Sequence, residues 1–190
     1  MIGLSKNIEN EIENHRLEMM LQTVPNLERI GDYATNLDEL GESLKKDGAS
    51  FSEAAKKELD ILTTAVNEII DITVEALAEN DLNKAEMIEP LEETIDDMVM
   101  VLKAKHTKRL KTGECSITSG LIFMEALTYF ERASDQCSST AILMLAQDNP
   151  DILLNHHEYL HNMHKNGGAK YKEMRDARIK QYVDPLKEIA

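Results

Sequence analysis

The chain has 190 residues, and 21 Lys and Arg against 35 Asp and Glu give a formal charge of −14, with 42% hydrophobic and 29% charged residues. That balance describes a folding chain and repels a phosphate backbone, and no Lys/Arg cluster is interleaved with aromatics, so nucleic acid is excluded as a partner. Folding at this length buries roughly 70% of the extended surface, enough for one sizeable core or two small ones, with one compact unit the default. Aromatic residues make up 4%, Trp is absent, and Met, Leu, Ile and Ala dominate the apolar set, a mix that suits helices over strands. The expected class is all-α. The longest apolar run, Ala141 to Ala146, is far short of the roughly 18 residues that span a bilayer. Polar sequence follows Met1-Ile2-Gly3-Leu4 directly, which reads as no secretory signal.

Apolar spacing predicts a first helix from about Ile8 to Lys45, with Leu17, Leu21, Val24 and Leu27 three or four apart and a kink or break at Val24-Pro25. Ser52 is placed to cap a second helix, Glu53 to about Glu79, with the stripe Ala55, Leu59, Leu62, Val66, Ile69 and Leu77. Asp81 can cap a third, whose stripe Ile88, Leu91, Ile95, Met98 and Leu102 runs towards Leu110 and stops at Gly113. A fourth helix, about Glu114 to Gln147, carries Ile122, Ala126, Tyr129, Ala133 and Cys137 and is stopped by Asn149-Pro150. Two shorter helices, Asp151 to about Lys165 and Lys170 to about Lys187, hinge at Gly167-Gly168. Short turns between long amphipathic helices imply an antiparallel bundle. Cys115 and Cys137 lie 22 residues apart, near one helix, hence about 33 Å apart, too far for a disulfide; a reducing cytosol fits.

One pattern occurs twice: Leu27-Glu28-Arg29-Ile30-Gly31-Asp32 and Phe130-Glu131-Arg132-Ala133-Ser134-Asp135, 103 residues apart. In each copy two acids four apart share a helix face, where like charges cost roughly 0.2–0.5 kcal/mol. Apolar residues seven and four positions before each Glu put the acids in line with buried surface, so they need a cation, a basic partner or water. Glu92 and Asp96 repeat the spacing on the third helix. Two such helices packed antiparallel present four carboxylates to a hard cation of the Mg, Mn or Fe type. The competing reading is inter-helix salt bridges, with Arg29, Arg132 or Arg109 as partners, or a solvated rim.

Glu28 to Asp32 with Asn36, and Glu131 to Asp135, resemble the paired signature of the PhoU family of phosphate-uptake regulators. Arg109 to Cys115, Phe123, and His157-Glu158-Tyr159-Leu160 resemble more narrowly the PhoU-like cytoplasmic C-terminal part of bacterial sodium/phosphate cotransporters. Tyr33 and Gln136 stand where family members often carry His. The resemblance covers most of the chain. It implies one complete three-helix repeat (49–148), the last helix of a truncated first repeat (1–48) and a helical extension (149–190), with a membrane transport domain upstream. It further implies a non-enzymatic regulatory role at the cytoplasmic face of the plasma membrane, as part of a phosphate transporter or as a free-standing adaptor. Iron or zinc ligands map by resemblance onto Glu28, Asp32, Glu92, Asp96, Glu131 and Asp135, with no organic cofactor.

His157, His161 and His164 share one helical face and could hold zinc, but four neighbouring His in a polar helix read first as surface residues. Glu158-x-x-His161 occurs once where di-iron bundles need two copies, so a metal-dependent bundle enzyme is the weaker alternative. An incomplete first repeat leaves the apolar face of the first helix uncovered, and the C-terminal helices or a second copy of the chain are expected to cover it.

Overall fold

The computed structural model describes residues 11–147, 149 and 151–189; the expected helix start at Ile8, the segment Met1 to Leu4 and Pro150 lie outside them. The long helices are α1 (Glu11–Lys46), α2 (Glu53–Glu79), α4 (Ile88–Thr112) and α5 (Ile117–Leu145). Between and after them come α3 (Leu82–Ala85), α6 (Asp151–Leu154), α7 (His156–Asn166), α8 (Ala169–Arg178), a π-turn (Ile179–Val183) and α9 (Asp184–Glu188). No strand occurs among the described residues, so the all-α bundle expected from composition and periodicity is the fold.

Helix ends follow local chemistry. Ser52 accepts from the Ala55 N–H and Ser116 from the Ser119 N–H, each satisfying a donor that the first turn leaves unpaired. Gly113, at φ 76°, closes α4 in the left-handed conformation that costs other residues a Cβ clash. Asp81 caps as expected, but only the four-residue α3; the chain re-forms as α4 at Ile88. The cause is Pro90, which has no N–H to give the Glu86 carbonyl and whose ring would press on it. At Pro25 the opposite happens: α1 runs unbroken through it. Pro25 and Leu21 are exposed, so the Leu21 carbonyl that loses its partner faces water, while Met19, Thr23 and Asn26 on the other side are buried.

Helices α2, α4 and α5 pack on one another around Leu62, Ile69, Ile88, Leu91, Ile95, Met98, Leu102, Phe123 and Leu127, all fully buried. Each side chain of this size contributes roughly 1.5–3 kcal/mol by leaving water. Helix α1 lies antiparallel on α5, joined by Asn26 Nδ2 donating to Thr140 Oγ1 at 3.3 Å and Tyr33 stacked on Tyr129 with centroids 6.0 Å apart. The C-terminal helices do not cover α1 as expected. Helix α8 and the π-turn run along α4 and reach α2, where Tyr182, Val183 and Leu186 enter the main core. Leu153 of α6 approaches α1, near Met19 and Gln22, and Met20, Leu21, Val24 and Leu27 stay 39–42% exposed. The C-terminal side chains that could seal a surface face α4 because their cations answer its acids.

Candidate metal centre

The inner stripe of α4 (Ile88, Leu91, Ile95, Met98) is flanked by a second stripe of Glu89, Glu92, Glu93, Asp96 and Asp97, three or four residues apart and therefore on one side of the helix. Helix α5, packed on α4, brings Glu131 and Asp135 to the same side. Oxygens of Glu92, Asp96 and Asp135 come within 4.8 Å of one another, the group among the described residues that best resembles a cation site. All three are half-buried.

Electrostatics register the crowding. Burial, then the charges of Glu89, Asp96 and Asp135, push the Glu92 carboxyl up to about 9. Burial and the Asp135 and Glu131 charges push Asp96 up to about 6. Asp135 is raised by burial and Glu131, against a hydrogen bond with Glu92 that lowers it. At neutral pH and without a cation, Glu92 therefore holds a proton and donates it to Asp135. Asp96 Oδ1 is buried without a hydrogen-bond partner, an acceptor for which the protein supplies no donor.

The remaining mapped acids lie elsewhere. Glu131, one turn from Asp135, pairs with Lys103 Nζ at 2.7 Å. Glu28 and Asp32 are exposed on α1, which turns Asn26, Arg29 and Tyr33 towards α5 instead, and they do not join the triad. Gln136 accepts from Arg29 Nη1 at 3.2 Å, so the positions where family members often carry His here serve the α1–α5 contact. Of the arginines considered as partners for the acids, Arg109 is bidentate to buried Glu58 at 2.9 and 2.7 Å. Glu131 is thus salt-bridged, but to Lys103 and to none of the arginines expected, while Arg132 acts on Asp135 through its charge.

Two acids that the sequence did not single out, Glu89 and Glu93, frame the triad. Glu89, 5% exposed, accepts from Ser138 Oγ and lies 2.7 Å from His164 Nε2; Glu93 lies 2.8 Å from His164 Nδ1. Arg175 approaches Glu93 at 3.2 Å and Asp97 at 2.8 Å. Both acids sit at the same spacing as Glu92 and Asp96, so continuing that pattern along α4 would have found them. Their partners on α7 and α8 lie more than 70 residues away, beyond the reach of periodicity. His157, His161 and His164 are all exposed on α7, and His164 reaches across to α4.

Residues 59–144, which take in most of α2, all of α3 and α4 and nearly all of α5, match the family profile described as the PhoU domain. No curated protein and no solved structure matches the chain. Helix α1 and helices α6 to α9 lie outside the matched residues.

Proposed function

We propose that the chain is a non-enzymatic regulatory domain of phosphate uptake, the cytosolic C-terminal part of a sodium/phosphate cotransporter, with a cation-binding triad at Glu92, Asp96 and Asp135. The match of residues 59–144 to the PhoU domain supports the phosphate-related regulatory role. The triad supports cation binding: three oxygen donors on two rigid helices, one acceptor unpartnered, and a proton held where a cation would sit. An all-carboxylate set suits iron or manganese better than zinc, which takes nitrogen and sulfur readily. No described helix is long and apolar enough to cross a membrane, so on this reading the transport domain is supplied by other sequence. The uncovered apolar face of α1 supports contact with such a partner or with a second copy.

The test is phosphate uptake by cells carrying the full reading frame with wild-type protein or the D96N/D135N variant. A changed uptake rate at equal protein level supports regulation through the triad, and identical rates refute it. Hydrophobic spans encoded ahead of Met1 support the transporter; two further soluble helices and nothing more favour a free-standing adaptor. Iron loading in air with no oxygen consumption is expected, and sustained consumption would establish the enzyme alternative.

A further inference from the structure

We infer that α7 and α8 form a cationic strap over the α4 acids, and that a divalent cation in the triad and the strap oppose each other. The inference rests on the cation reading above. It begins from charge: five acids line one side of α4, and Asp135 and Glu131 add two more from α5. The strap is the second source of positive charge for them. His164 sets both ring nitrogens against carboxylates of Glu89 and Glu93. Arg175 takes Glu93 and Asp97. Glu93 and Asp97 directly follow Glu92 and Asp96 in the chain, so both acids held by Arg175 neighbour a triad acid. A divalent ion at the triad draws on the same negative field and repels the Arg175 guanidinium across a partly dry interface.

The strap is built to yield. Beneath it lies a cavity of about 220 Å³ lined by Ala141, Ile142, Leu145, Leu160, Met163 and Met174. Its apolar contact is therefore incomplete, although Tyr159 and Leu160 still pack on the Ile142 cluster. Gly167 and Gly168 separate the two helices, and a Cβ at Gly167 would stand 2.3 Å from the Met163 carbonyl and 2.8 Å from the Tyr171 ring, so the close turn needs glycine. Tyr171, 8% exposed and with its hydroxyl unpartnered, stacks on His164 with centroids 6.3 Å apart. Beyond Arg178 the chain is anchored: Arg178 pairs with Glu68 at 2.6 Å, and Tyr182, Val183 and Leu186 are core. Loosening is thus confined to α7 and the first turns of α8, and it uncovers Ile142 and Leu145.

Hydrogen exchange on the full chain with and without manganese(II), together with manganese titration of wild type, R175Q and R175K, tests this. Coupling free energies between sites commonly correspond to factors of 5 to 150. Manganese should speed exchange in 156–175 at least fivefold, with no such rise in α2, α4 and α5. R175Q should bind manganese at least fivefold more tightly than wild type, and R175K, which keeps the charge, should not. Manganese bound with exchange in 156–175 unchanged or slowed, or R175Q and R175K binding alike, overturns the strap while the cation reading stands. Failure of wild type to bind manganese overturns both.

Discussion

Replacing Glu92 with Gln should stabilise the metal-free protein. A Glu in the unfolded chain titrates near 4.5, whereas folding pushes Glu92 up to about 9. Between those values the folded state holds a proton that the unfolded state has released, so stability falls as pH rises, by about 1.4 kcal/mol per unit for this group. At pH 7 the folded protein is therefore less stable by ~3 kcal/mol than it would be with a group needing no proton. Gln supplies that neutral group and keeps an N–H to donate to Asp135. The gain is an upper value, because Asp96 and Asp135 readjust when Glu92 is removed. For a chain of this size it corresponds to a melting temperature higher by roughly 6–12 °C. Thermal unfolding of chelator-treated wild type and E92Q from pH 5 to 9 reads it directly. The two should converge at pH 5 and separate as pH rises. E92Q that melts lower than wild type at pH 8, or that keeps the wild-type dependence on pH, would refute the argument that burial and like charge dominate this site.

Metal affinity should show the same proton in reverse: manganese binding should strengthen from pH 6 to pH 9 as Glu92 and Asp96 give up their protons, with proton release detectable in weakly buffered titrations. R109M should lower stability by roughly 3–5 kcal/mol, measured by urea unfolding, because it leaves fully buried Glu58 with only Lys105 at 3.5 Å. Leu186→Ala should cost about 2–5 kcal/mol in the same assay, since Leu186 is fully buried in the common core. For the same reason deletion after Asn149 should yield aggregated or molten protein by light scattering and near-ultraviolet circular dichroism.

The bundle was legible because three-residue and four-residue apolar spacing and the capping residues Ser52 and Gly113 act locally. Every residue of the α4 stripe read from spacing, Ile88 to Leu102, is fully buried. The division at Glu86 was missed because Asp81 is a strong cap and Pro90 was not weighed against it. At Pro25 the sequence overstated the cost, since a missing hydrogen bond on an exposed side is met by water. Paired acids pointed to Glu92, Asp96 and Asp135, which converge, but spacing treats Glu131 and Glu28 identically. Lys103, 28 residues from Glu131, takes the former, and the orientation of α1 leaves the latter in solvent. His164 and Arg175 were beyond periodicity because their roles depend on the path of the C-terminal helices along α4.

Elemental analysis after incubation with iron(II) or manganese(II) and desalting tests the central claim most directly. The account predicts at least one equivalent of metal per chain in wild type, none in D96N/D135N, and the wild-type amount in E28Q/D32N. Less than stoichiometric metal in wild type, or metal retained by D96N/D135N, would contradict it and leave the triad as structural acids.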